Sequence, residues 1–345
     1  MVKGKLAGII AMLAIAFSLA AAPAGAAQKD IKWGTGPVGS AGYKALVVLA
    51  GVINKALPEY NISVLPTPGA VVTIKGYTVG DYDGDYVSDV ALKELNSDTG
   101  RFQGFKANIK RPPIQSFWCY TLDVGLAVKA TDRTKFKKWE DLTGQPVFTG
   151  PLPFDTRKYL EDAMAAVGVK HIYKQVDLET VGSQLDSGTL KGMTIYAAGG
   201  ETPAPWLSEA SLSVDWAALN PSPDEMAKLK AKGFKIEEVD PKIFGAKNTY
   251  TKKVVLLPFY WGFDLGPIVT EDEMFKILNA IEAHADELAN LDPGFHQIGG
   301  GKMAAFEKEA LSSTWNLAPI HPGLAKWMKS KGVWDKKWDA NVAKM

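Results

Sequence analysis

Two strand-like apolar runs, residues 117–129 and 254–260, flank the middle third of this 345-residue chain and constrain its fold more than any other feature. Ahead of the first run the sequence reads as a strand at 30–33, a glycine-rich loop and a helix. In that helix Leu46, Leu49, Ile53 and Ala56 recur at three- and four-residue spacing and Pro58 marks the stop. A second strand follows at 61–65, then the loop Pro66-Thr67-Pro68-Gly69 and a short helix from near Ala70. Between the two runs the pattern restarts. Residues 139–148 read as a helical turn leading into a strand, 150–155 as a loop and 156–167 as a helix stopped by Gly168. A further strand at 190–198 ends in Gly199-Gly200, and the chain is helical from Glu271 onward. Strands alternating with helices predict an α/β fold with a mostly parallel sheet. The restart predicts two lobes, residues 27–122 with 258–345 as the first and 123–257 as the second, with the long runs as crossings. Ligand sites in open α/β sheets lie beyond the carboxyl ends of the strands, so both lobes are expected to open onto one cleft.

The first residues point to export. Lys3 and Lys5 precede an apolar run over 6–22, which closes on Pro23-Ala24-Gly25-Ala26-Ala27. Basic, apolar and small residues in that order predict a signal peptide over 1–26, cut after Ala26. No cysteine stands near that site for lipid attachment, and no later run reaches the roughly 20 apolar residues of a membrane helix. The formal charge of +1 becomes −1 once Lys3 and Lys5 leave, so nucleic acid is not expected as a partner. Cys119 is the single cysteine, within an apolar strand-like run, and reads as a buried free thiol.

Gly34-x-Gly36-x-x-Gly39, between a strand and a helix, fits the dinucleotide-binding pattern. Pro37 removes an amide, and Glu59 stands beside a helix stop rather than at a strand end. A glycine turn that brings amides toward a simpler anion at a helix N-terminus is the reading carried forward. Asp81-Tyr82-Asp83-Gly84-Asp85 fails the EF-hand template, with its glycine two positions early, and reads as a solvated acidic loop. His171, His284, His296 and His321 show no metal-ligand spacing, and no hydrolase motif is present. The chain therefore reads as a binding module, not an enzyme, with no cofactor and no metal. Of the four arginines, Arg101, Arg111, Arg133 and Arg157, the last stands best to clamp a carboxylate, just inside the helix of the second lobe. Tyr43, Phe154 and Trp206 are candidate apolar walls.

Gly34-Thr35-Gly36-Pro37-Val38-Gly39 followed by Tyr43 resembles the N-terminal signature of TAXI proteins, solute receptors of the tripartite ATP-independent periplasmic (TRAP) transporters. Gly80-Asp81-Tyr82-Asp83 and Ser88-Asp89-Val90-Ala91 resemble that family's Gly-Glu-x-Asp and Ser-Asp-x-Ala steps. Asp141-Leu142-Thr143-Gly144-Gln145 resembles its Asp-Leu-x-Gly-Lys, and Ile320-His321-Pro322-Gly323 its C-terminal signature. The resemblance implies a two-lobe periplasmic-binding-protein fold, type II-like, and a periplasmic receptor that hands a small carboxylate to a membrane permease. A substrate-binding protein of an ABC importer shares that design and is the alternative. The implied ligand set is Thr35, Gly36, Val38 and Tyr43 from the first loop, Thr67, Gly69 and Ala70 from the second, and Phe154, Asp155, Thr156 and Gly199 across the cleft. Where the family has Gly-Gly-Ser-x-x-Asn this chain has Pro68-Gly69-Ala70-Val71-Val72-Thr73, which predicts a less polar pocket and an organic acid or amino acid with few hydrogen-bonding groups.

Overall fold

A computed structural model describes residues 28–245 and 250–345; the predicted signal peptide lies outside the described residues. Its strands are β1 (Lys29–Thr35), β2 (Tyr60–Pro66), β3 (Gly84–Ser88), β4 (Trp118–Lys129), β5 (Pro146–Phe148) and β6 (Ile172–Tyr173). They continue with β7 (Gly192–Ala198), β8 (Thr202–Pro203), β9 (Trp216–Leu219), β10 (Glu237–Val239) and β11 (Val254–Leu265). The helices of the first 170 or so residues are α1 (Ala41–Ala56), α2 (Ala70–Val79), α3 (Asp89–Ser97) and α4 (Asp155–Ala166). The middle third adds α5 (Val181–Asp186), α6 (Pro205–Ser213) and α7 (Pro223–Ala231). The last third holds α8 (Glu271–Ala283), α9 (Ala285–Leu291), α10 (Met303–Thr314) and α11 (Pro322–Ser330).

The two long runs are β4 and β11, and each is shared by two halves of the molecule. One end of β4 pairs antiparallel with β11, from Trp118 to Val124. Its other end lies between β7 and β9. Strand β11 passes from β10 to β4 and then to β3. In the first half the order is therefore β2-β1-β3-β11-β4, with β1 parallel to β2 and β3. In the second it is β6-β5-β7-β4-β9, with β5 parallel to β6 and β7. Each half has one strand contributed from the other as its fourth member. This is the two-lobe α/β periplasmic-binding-protein fold, type II-like, with a cleft between the lobes. The hydrogen-bonded path runs unbroken from one half to the other, because the crossing strands pair with each other.

Local sequence sets the helix starts. Ser40 caps α1 by accepting from the Tyr43 amide, Ser88 caps α3, and Ser222 and Thr270 form capping boxes with Glu225 and Glu273. His321 caps α11: its Nδ1 accepts from the Gly323 amide at 3.0 Å and its Nε2 donates to the Val269 carbonyl at 3.0 Å. Burial holds this imidazole neutral, with its pKa lowered to about 4. The C-terminal His-Pro-Gly step is thus a helix start. The acidic run keeps Asp81 in water but not its far end. Asp85 belongs to β3, is fully buried, and stands in register opposite Asp264 of β11. Burial and that facing carboxylate push its pKa well up.

Candidate functional site

Three helix N-termini and four strands meet in one cavity between the lobes. The strands supply its floor: Tyr86 from β3, Leu122 from β4, Tyr196 from β7 and Trp261 from β11. Tyr86 is the centre of that floor. Its ring stacks between Trp261 (centroids 4.1 Å apart) and Phe263 (5.0 Å), and its hydroxyl meets that of Tyr120 at 3.2 Å. Gly42 is required beside it, since a Cβ there would stand 2.3 Å from the Tyr86 ring.

The helices supply the polar side. Ser40, Ala41 and Gly42 come from the start of α1, Gly69 and Ala70 from α2, and Phe154, Asp155 and Thr156 from α4. Helices α2 and α4 carry no side-chain cap, so their first amides stay open. The Thr156 hydroxyl lines the cavity buried and without a partner. The two lobes touch at its rim, where a Cβ on Gly69 would stand 3.1 Å from Pro153. The cavity is small, about 20 Å³, so the lobes stand close together around it. Among the described lining residues there is no lysine, arginine or histidine.

Six of the eleven predicted residues line this cavity: Gly36, Gly69, Ala70, Phe154, Asp155 and Thr156. Thr35 and Thr67 lie behind it and build the loops. The Thr67 hydroxyl donates to the Thr35 carbonyl at 2.8 Å, and the Thr35 hydroxyl is buried without a partner. Val38 points outward, 68% exposed, and Tyr43 sits half-buried in the first turn of α1. Gly199 packs on the opposite side of β7, where a Cβ would stand 2.6 Å from the Gly294 carbonyl. The arginine expectation changes as well. Arg157 turns away to Glu161 (3.1 Å) and lies over the Tyr173 ring at 4.0 Å. The guanidinium nearest the cavity is that of Arg101, which stands behind the lining and binds Asp155 at 2.5 Å. Ser40, Ala41, Gly42, Tyr86, Leu122, Tyr196 and Trp261 were missed. Trp206 also misses the cavity proper and instead bonds the Tyr196 hydroxyl at 3.2 Å.

A second concavity lies beside the first glycine loop. Val38 and Gly39 of the first lobe face Asp177, Leu178, Glu179, Trp206 and Glu209 of the second. Its three carboxylates are exposed, and no cation is among its described lining residues. Among the described residues there is no cluster of potential metal ligands, and no helix is long and apolar enough to cross a membrane.

No protein-family model and no curated sequence matches the chain. Among solved structures, the alkanesulfonate-binding protein SsuA from Xanthomonas axonopodis pv. citri superposes at 12% identity, covering 92% of this chain and 96% of that one, with a TM-score of 0.46. A putative L-cystine ABC transporter protein from Listeria monocytogenes superposes at 13% identity over 79% of this chain and 97% of its own, with a TM-score of 0.45. Substrate-binding domain 2 of Lactococcus lactis GlnP, in an open conformation, gives 12%, 78%, 95% and 0.41 in the same order. Likeness this low carries nothing about solute or partner, and the functional reading rests on the cavity itself.

Proposed function

We propose that this protein is an extracytoplasmic solute receptor that closes two lobes over a small organic acid and presents it to a membrane permease. The observation that supports this best is the meeting of three helix N-termini, two of them without side-chain caps, on an aromatic floor contributed by both lobes. Helix N-termini offer amides and a partial positive charge to an anion without needing a cation. The carboxylate would face the open amides of α2 and α4 and the Thr156 hydroxyl, while the apolar body rests on Tyr86, Tyr196 and Trp261. With no side-chain cation on the wall, one anionic group is accommodated better than two. The lobes are read as 27–122 with 258–345, and 123–257.

The second concavity favours another reading. Asp177, Glu179 and Glu209 would draw in a solute that also carries positive charge, such as an amino acid. The motif order described above supports a TRAP-type permease, and an ABC importer remains the alternative.

Native mass spectrometry of protein purified without refolding identifies a carried solute. Calorimetry with short monocarboxylates, dicarboxylates, amino acids and glutamate then ranks the classes. A monocarboxylate should bind at least about tenfold more tightly than glutamate, since each unpaired buried polar group costs about 1–3 kcal/mol. Tight glutamate binding would overturn the monocarboxylate reading, and no binding across the panel would overturn the receptor reading. Transport in vesicles reconstituted with either permease class, with and without ATP, separates the two partners.

A further inference from the structure

We infer that the pairing of Asp155 with Arg101 and Ser88 is a latch between the lobes, holding the cleft shut with the protein's own side chains. The inference deepens the solute-receptor reading by adding control of the same site. Arg101 and Ser88 belong to the first lobe, Asp155 to the second. Arg101 follows α3 in a tight turn, Gly100–Phe102, that begins at a glycine with φ of 56°. That left-handed φ favours glycine, and a Cβ on Gly100 would also push Glu94 Oε1 out of the place where the turn folds back over it. Arg101 Nε then donates to Glu94 Oε2 at 2.7 Å, which aims the remaining face of the guanidinium across the cleft. Nη1 reaches Asp155 Oδ1 at 2.5 Å, and the Ser88 hydroxyl donates to Asp155 Oδ2 at 2.6 Å.

Both oxygens of Asp155 are thus held by the opposite lobe, and its side chain is fully buried while Arg101 keeps 15% exposure. Water competes poorly for such groups, and a hydrogen bond to a buried charge survives that competition by a factor of at least about ten. Opening the lobes breaks both bonds to Asp155 but leaves Arg101 on Glu94. The latch therefore reforms with one partner already placed. It also means that the Arg101 charge is already engaged behind the lining, leaving recognition of a solute carboxylate to the helix N-termini.

The test needs no solute. Val38 and Leu152 stand on opposite lips, 68% and 55% exposed, and the native Cys119 is buried, so Val38→Cys with Leu152→Cys accepts a pair of spin labels. The full mature chain is freed of carried solute by unfolding and refolding, and the label distance is read by double electron–electron resonance. The parent should show mainly a short distance. Arg101→Met should add a longer one, lowering the closed-to-open ratio at least about tenfold, equivalent to about 1.4 kcal/mol. Arg101→Lys, which keeps a positive charge beside Glu94 and Asp155, should keep more of the short distance than Arg101→Met does. If Arg101→Met does not fold, Asp155→Asn is read in the same way. A parent already open without solute overturns the latch, as does an unchanged distribution in both single variants. Failure of the receptor reading looks different: the opened variant responds to no solute in the panel.

Discussion

Replacing Asp123 with asparagine should make the protein less sensitive to rising pH. Asp123 lies on β4 where that strand crosses between the lobes, opposite Pro258 of β11 and Ala197 of β7. Its side chain is fully buried, and neither oxygen has a partner in hydrogen-bonding geometry. Glu237 faces the same spot: a Cβ on Gly200 would stand 3.3 Å from Asp123 Oδ2 and 3.4 Å from Glu237 Oε1. Burial raises the Asp123 pKa from 3.8 to about 8; the nearby Thr121 hydroxyl and Gly200 amide pull the other way, and the Glu237 charge adds to the rise. A carboxyl group whose folded pKa is raised binds more protons folded than unfolded between those two values. Stability therefore falls as pH rises through that window and levels off above it. At about 1.4 kcal/mol per unit, the loss between about pH 5 and pH 8 is about 3–4 kcal/mol. Asparagine stays neutral throughout and escapes it. Urea unfolding of both proteins at pH steps from 4 to 9 measures the difference, and subtracting the curves removes every group they share. The gap should widen in favour of Asp123→Asn by that amount and then stop widening. Parallel curves would refute the argument, because they would mean that Asp123 reaches water or a cation in the folded state.

Gly42→Ala should cost about 1–3 kcal/mol by overpacking and should weaken solute binding, because the new methyl must push the Tyr86 ring off the cavity floor; calorimetry and thermal unfolding read the two effects. His321→Ala should cost about 1–2 kcal/mol through the lost cap of α11. Because burial lowers the folded pKa of His321 to about 4, its contribution is present above about pH 6.5 and is lost as pH falls toward 4, so the cost of the substitution should shrink in acid. Thr156→Ala should weaken solute binding about tenfold with little change in stability, since it removes a hydroxyl that has no partner within the protein. Equal binding by that variant would place the solute away from α4.

The parts of the fold that depend on periodicity were legible in advance. The restart of strand, loop and helix between two apolar runs follows from local patterning, and the structure starts α4 one residue before its predicted first residue. The loops that end in helix N-termini were also readable, and they supply all six predicted residues that line the cavity. The floor was not. Tyr86, Leu122, Tyr196 and Trp261 are buried strand residues, and an aromatic facing a cleft has the same local sequence as one facing a core. Arg101 was passed over for Arg157 for a similar reason. Distance along the chain favoured the arginine beside Thr156, whereas the folded glycine turn at Gly100 delivers Arg101, 54 residues before Asp155. Asp85 looked like part of a solvated acidic run because its burial depends on β11, which lies far away in sequence and brings Asp264 opposite it.

A latch suits a small solute on energetic grounds. A ligand shifts a two-state equilibrium only by the difference in its affinity for the two states. That difference is bounded by the size of the ligand, since even the best small ligands gain no more than about 1.5 kcal/mol for each non-hydrogen atom. A monocarboxylate of five or six such atoms has little left for moving two lobes after its own immobilisation. Contacts made by Arg101, Ser88 and Asp155 need no solute atom, so they contribute the same closing tendency to every solute. Selectivity then falls on fit to the narrow cavity, to the helix N-termini and to the aromatic floor. Weakening the latch should therefore lower the affinity for all solutes by a common factor and leave their ranking unchanged, whereas altering the floor at Gly42 should reorder them.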